Sequence, residues 1–136
     1  MKRILFDTNA YAAFKRGDPG AAEVVRLADR IGMNSVVLGE LLAGFSGGSH
    51  EARNRRELAE FLRSPRVEML PLGSGTAEHY ARAFQSLRRK GRPIPTNDLW
   101  IAASALEHGY AVYTHDEHFE IIEGLVTGKT PAAFLP

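Results

Sequence analysis

Four acidic residues each interrupt or close an apolar stretch. Asp7 follows Ile4-Leu5-Phe6, Glu40 stands inside Val36 to Leu42, Asp98 precedes Leu99-Trp100-Ile101, and Asp116 comes two residues after the run ending at Thr114. The other acids sit mostly in charged helical stretches, such as Glu57 and Glu60, or in turns, such as Asp18. Carboxylates gathered in one cleft repel and resist ionisation unless a cation compensates them. Oxygen donors select hard cations, so Mg²⁺ or Mn²⁺ is the expected occupant of such a cluster. A centre of this kind activates water and offsets phosphoryl charge, which is the chemistry of phosphodiester hydrolysis. Taken one at a time, Asp7 and Asp98 also suit helix capping, Asp116 a turn, and Glu40 a solvated helix face. The joint pattern carries the expectation.

The elements that must position these acids follow from periodicity. Arg3 to Phe6 reads as a strand, and Ala10 to Arg16 as a helix stopped by Gly17. Asp18-Pro19 caps a second helix with Val24, Val25, Leu27 and Ile31 on its apolar face. Met33 to Val37 is β-favouring and runs into a helix carrying Glu40, with Ser35 as candidate cap and Gly44 as candidate stop. His50 to Arg63 is a charged surface helix ended by Pro65. Val67 to Leu72 reads as a strand, and Thr76 to Lys90 as a helix with Tyr80, Ala83, Phe84 and Leu87 inward. Thr96-Asn97-Asp98 caps a helix through His108, Gly109 closes it, and Tyr110 to Thr114 resumes as a strand. Gly124 to Thr127 is a weak last strand. Strands alternating with helices predict an α/β class with a mainly parallel sheet covered on both faces. In such sheets ligands sit beyond the carboxyl ends of the strands, where Asp7 and Asp116 fall.

Composition excludes several alternatives. The chain has 136 residues, 44% of them hydrophobic and 24% charged, which predicts one globular domain over residues 1–136 rather than a disordered or fibrous chain. With no cysteine there is no disulfide, thiolate nucleophile, iron–sulfur cluster or cysteine-held zinc. The longest stretch free of Asp, Glu, Lys and Arg, Leu41 to His50, is too short to span a bilayer, and no signal peptide is evident at the start, so the expected location is cytoplasmic. A net charge of +1 decides nothing about partners.

Weaker signals have structural readings beside functional ones. Thr8, Asn9 and Asn97 could orient the acids or meet a phosphate, although capping the adjacent helices explains them at least as well. Arg88, Arg89 and Arg92, with Lys90 between them, precede the loop leading to Asp98 and could contact an RNA backbone; Arg53, Arg55 and Arg56 form a second basic cluster. Such runs are more often solvated helix faces. His115 and His118 flank Asp116 without the third histidine of a recognisable zinc site, so they read as a polar turn. Trp100 reads as core or subunit interface rather than as a base-stacking platform.

Four segments, Ile4-Leu5-Phe6-Asp7-Thr8-Asn9, Val36 to Gly44, Asn97 to Ala103 and Thr114-His115-Asp116-Glu117-His118-Phe119, resemble the signature segments of PIN-domain ribonucleases. More narrowly they are similar to the VapC-type toxins of toxin–antitoxin pairs. The resemblance implies a single Rossmann-like three-layer α/β/α sandwich and a Mg²⁺- or Mn²⁺-dependent endoribonuclease. It assigns the catalytic and metal-holding acids to Asp7, Glu40, Asp98 and Asp116, and the polar helpers to Thr8, Asn9 and Thr114. It also implies RNA as substrate, a VapB-type antitoxin and a homodimer that pairs further with antitoxin bound.

Two rivals belong to other classes. Asp7 at the end of a first strand fits the nucleophile of an aspartyl-phosphate phosphatase, but Asn9 replaces the second aspartate of that pattern and no lysine is read at a late strand end. A non-catalytic binding module of the same fold is the other, and it predicts no metal-stimulated RNA cleavage.

Overall fold

The structure is a computed structural model and describes residues 2–135. Five strands form one parallel sheet in the order β3-β2-β1-β4-β5. These are β1 (Arg3–Phe6), β2 (Arg30–Met33), β3 (Val67–Met69), β4 (Ala111–Tyr113) and β5 (Thr127–Gly128). Along β1 the consecutive residues Ile4, Leu5 and Phe6 are all buried. Successive strand side chains point to opposite faces, so both faces of the sheet are covered, and the α/β/α expectation holds. Burying each such side chain stabilises the fold by about 1.5–3 kcal/mol.

Six α-helices connect and cover the strands: α1 (Thr8–Lys15), α2 (Pro19–Leu27), α3 (Ser35–Phe45), α4 (Glu51–Leu62), α5 (Ser74–Arg89) and α6 (Thr96–His108). Three begin on local caps. The carboxylates of Asp7 and Asp18 accept from the N–H groups of Ala10 and Ala21, each at 2.8 Å, and the Asn34 side chain accepts from Val37 N–H at 3.0 Å. α6 ends at Gly109, whose φ of 73° is the left-handed conformation that stops a helix.

Several boundaries differ from the sequence reading. The second strand ends at Met33, and Asn34 rather than Ser35 caps the Glu40 helix. Val36 and Val37 are β-favouring residues held in α3 because Val37 packs into the core, a tertiary override of propensity. Pro95, not Thr96, precedes α6 without a side-chain cap bond, so Asp98 belongs to the helix's first turn. Phe84, expected inward, is largely exposed on α5. The polar turn after β4 is a 3₁₀ helix, Glu117–Ile121, and the last strand is Thr127–Gly128.

The strand order matters more than the boundaries. From β1 the chain moves outward to β2 and β3, then returns past its start to lay β4 on the other side of β1. The switch point therefore opens between the carboxyl ends of β1 and β4, where α/β sheets hold ligands. Phe6 pairs in register with Tyr113, so Asp7 and Thr114 emerge side by side although 107 residues apart.

Candidate active site

Asp7 is the anchor of the cleft. It is 5% exposed, its Oδ1 caps α1, and its Oδ2 accepts the Thr114 hydroxyl hydrogen bond. The Thr114 Oγ1 in turn accepts from the Asp116 N–H at 2.9 Å, so one threonine ties the end of β1 to the turn beyond β4. Burial, the largest influence, pushes the Asp7 carboxyl up to about 6; the Asp98 charge adds to this, and the bonds from Thr114 and Ala10 oppose it.

Asp98 and Asp116 form a tighter group with a third member. The Asp98 and Asp116 carboxylates and the His118 ring offer atoms that all lie within 4.8 Å of one another. His118 Nδ1 stands 3.1 Å from Asp98 Oδ2 and 3.0 Å from Asp116 Oδ1. Asp116 Oδ1 also accepts from the His118 N–H at 2.9 Å, capping the 3₁₀ helix. Asp98 is raised above the usual carboxylate range, chiefly by burial, and further by the negative charges of Asp116 and Glu40, against the His118 hydrogen bond. His118 is raised in turn, first through its bond to Asp98.

Glu40 reaches the cleft from α3. Its Oε1 accepts the Thr8 hydroxyl at 2.7 Å and its Oε2 accepts from Asn97 Nδ2 at 3.2 Å, which links α1, α3 and the start of α6. All four acids predicted from the sequence thus meet at one end of the sheet, Asp98 and Asp116 most closely and Asp7 and Glu40 beside them. Of the polar helpers, Thr8, Asn97 and Thr114 bind these carboxylates, whereas Asn9 is exposed and makes no side-chain hydrogen bond among the described residues.

His118 is the residue that sequence reading undervalued. A histidine two positions after Asp116, at the start of a short helical turn, was the available signal. His115 instead turns towards Tyr113, with Nε2 3.4 Å from the hydroxyl, and lies outside the Asp98–Asp116–His118 group. The basic run before α6 does not form one patch. Lys90 is engaged by the Ile121 carbonyl at 2.9 Å and by Glu123 at 3.3 Å. Arg88 lines a cleft with Ile94, Thr96 and Leu99, Arg89 another with His79 and Leu106, and Arg92 a third with Glu120 and Ile121. Trp100 is half-buried with its ring 4.3 Å from that of Tyr80, as the core or interface reading expects.

Contrary to the sequence reading, a lysine stands at a late strand end. Lys129 does follow a late strand, β5, and lines a small cleft with Thr114 and Asp116, its Nζ 3.6 Å from Glu117. The phosphatase reading fails for another reason: Asp7 is buried with both oxygens already accepting hydrogen bonds, a poor posture for in-line attack on phosphorus.

A parallel sheet with acids crowded at its switch point defines a class, and the PIN domain family model matches residues 4–125. The chain belongs to the PIN-domain family. Within it the similarity is to VapC ribonucleases: the chain is 32% identical over 122 residues to Ribonuclease VapC4 of Mycobacterium tuberculosis, covering 88% of this chain and 90% of that protein. Among solved structures it superposes on VapBC2 from Rickettsia felis, bound to a promoter DNA fragment, with a TM-score of 0.81 at 25% identity over 93% of this chain and 97% of that one. VapBC-1 from nontypeable Haemophilus influenzae gives 0.80 at 28% identity, over 93% and 96% of the two chains.

Proposed function

We propose that this chain is a divalent-metal-dependent endoribonuclease, the toxin of a VapBC-type toxin–antitoxin pair, acting through the acidic cleft between β1 and β4. The observation that carries this reading is the convergence of Asp98, Asp116, Asp7 and Glu40, close enough that burial and mutual repulsion raise Asp7 and Asp98. The donor set fits a hard cation: four carboxylates, three of them oriented by side-chain hydroxyl or amide groups or by backbone N–H groups, with Asp98 and Asp116 only partly buried. Asp7, Glu40, Asp98 and Asp116 would hold Mg²⁺ or Mn²⁺. When bound, such an ion offsets phosphoryl charge and makes water acidic enough to supply a nucleophile near neutral pH.

The chain's own groups do the rest. Thr114 and the Ala10 N–H fix both oxygens of Asp7, while Thr8 and Asn97 fix both oxygens of Glu40, so the cleft is preorganised rather than assembled on binding. One of the four carboxylates accepts the proton lost by the attacking water. Arg88, which lines a cleft with Thr96 and Leu99 of α6, is the best placed of Arg88, Arg89 and Arg92 to meet an RNA phosphate. With this function we infer the accompanying set: RNA as substrate, a VapB-type antitoxin, a second copy of the chain, one nuclease domain over 1–136 and a cytoplasmic location. Among the described residues no helix is long and apolar enough to cross a membrane. VapBC-5 from Mycobacterium tuberculosis, 26% identical to this chain with a TM-score of 0.73, is described as a member of the VapBC family of toxin–antitoxin systems, which supports the antitoxin.

The test is RNA cleavage by a highly purified sample. Wild type should cleave with Mg²⁺ or Mn²⁺ and stop with EDTA, while Asp98→Asn should stay folded and lose activity about 10²- to 10³-fold. Full activity in Asp98→Asn, or indifference to chelation, overturns the assignment.

A further inference from the structure

We propose that His118 is itself a metal ligand of this cleft, making the centre a mixed nitrogen and oxygen site that prefers Mn²⁺ to Mg²⁺. The inference rests on the acidic-cleft reading and adds a residue and a selectivity to it.

Geometry carries the argument. His118 Nδ1 stands 3.1 Å from Asp98 Oδ2 and 3.0 Å from Asp116 Oδ1. Ligands held at about 2.1 Å and at right angles, as in octahedral coordination, stand about 3.0 Å apart. The imidazole nitrogen is therefore spaced from both carboxylates as a neighbouring ligand would be. Those spacings also suit hydrogen bonds, so placement matters as well. The ring is brought there by backbone: Asp116 caps the 3₁₀ helix by accepting from the His118 N–H, which fixes the histidine two residues past Asp116 and turns it back over the cleft towards α6. Lys90, on its hydrogen bond to the Ile121 carbonyl, holds the far end of the same turn against α5. A side chain half exposed to solvent, with a 50% accessible surface, can shed its carboxylate contacts for a cation without unfolding anything.

Chemistry gives the selectivity. Mg²⁺ takes oxygen donors and keeps its waters, whereas Mn²⁺ shares that liking for carboxylates but, as a first-row transition ion, also accepts an imidazole nitrogen, so of the two ions a nitrogen ligand favours Mn²⁺. Among the described residues no other histidine joins the group: His115 is turned to Tyr113. The competing role for His118 is a counter-ion, a protonated ring that neutralises Asp98 and Asp116 and is expelled when metal arrives. The two roles predict opposite effects of removing the ring.

The experiment uses the full wild-type chain with Mn²⁺ alone as probe. Pulsed electron paramagnetic resonance of the Mn²⁺ complex should show a directly coordinated ¹⁴N that disappears in His118→Ala and His118→Gln. Calorimetric titration should show both variants weakening Mn²⁺ binding about tenfold or more while Mg²⁺ binding changes less than about twofold. A wild-type complex with no ¹⁴N coupling, or variants that bind Mn²⁺ as tightly as or more tightly than wild type, overturns the ligand role and leaves the acidic cleft intact. Failure of the wild type to bind Mn²⁺ at all overturns both. Thermal unfolding of each variant confirms that a loss of binding is not a loss of fold.

Discussion

The two ends of the sheet treat charge in opposite ways. Towards the amino-terminal ends of the strands, each acid meets a donor: the Lys2 backbone N–H donates to Asp29 at 2.6 Å, the Arg30 guanidinium pairs with Glu68 at 3.5 Å, and the Tyr110 hydroxyl donates to the same Glu68 at 3.2 Å. At the carboxyl-terminal ends, acid is set against acid, and histidine is the only basic side chain in an ion pair with Asp98 or Asp116 among the described residues. The first arrangement is self-contained and solvated, so it adds little to stability. The second holds an uncompensated charge that a bound cation would relieve. Like charges held together in a partly buried cleft are a mark of a functional site.

The sharpest way to break this contrast is to neutralise its anchor. Asp7→Asn should lower RNA cleavage by about 10²- to 10³-fold and yet stabilise the metal-free protein by about 2 kcal/mol at pH 7.5, the roughly 3 kcal/mol of relieved burial less the cost of an amide that can accept only one of the two bonds Asp7 accepts. The sign follows from burial: the folded pKa, about 6, lies above the unfolded value of 3.8. The stability associated with Asp7 is thus fully present below pH about 3.8 and is lost as pH rises through about 6. The gain from Asp7→Asn should vanish below pH about 4, which urea unfolding across pH would read. An unchanged stability at pH 7.5 would mean the carboxylate is compensated even without metal.

Metal should act in the opposite sense on the wild type. Mn²⁺ at about a hundred times its dissociation constant should stabilise the folded chain by about 2.7 kcal/mol, and the shift in thermal midpoint should be absent from Asp98→Asn. Thr114→Val comes next: it strips a hydrogen bond from Asp7 and an acceptor from the Asp116 N–H, so a loss of about 1–3 kcal/mol in chemical denaturation is expected. At the other end of the sheet, Glu68→Gln should cost less than about 1 kcal/mol and leave RNA cleavage unchanged. A large effect there would erase the distinction between the two ends.

Much of the fold was legible because local signals agreed. Ile4-Leu5-Phe6 is buried on both sides and so reads as a strand, Asp18-Pro19 marks a helix start, and Gly109 a helix stop. The second strand was misplaced because Val36 and Val37 favour β-structure in isolation, yet core packing and the Asn34 cap keep them helical. The last strand, read as Gly124 to Thr127, is shifted to Thr127–Gly128, because its extent is set by pairing with β4 rather than by a local signal. In the site, the four acids could be named from where they interrupt apolar segments. His118 was marked only by standing two positions after Asp116, because its reach to Asp98 depends on a 3₁₀ turn and on the approach of α6.

The order of residues along the chain determined which side chains end strands and open helices, since hydrophobic period, caps and glycine stops act over a few residues. Tertiary structure alone decided that β4 lies next to β1. That single adjacency brings Thr114 and Asp116 to Asp7 across more than a hundred residues, buries Asp7 and sets Asp98 against Asp116. Electrostatic coupling falls off over a few ångströms of space, not of sequence, so the chemistry of the cleft exists only once the sheet has closed around it.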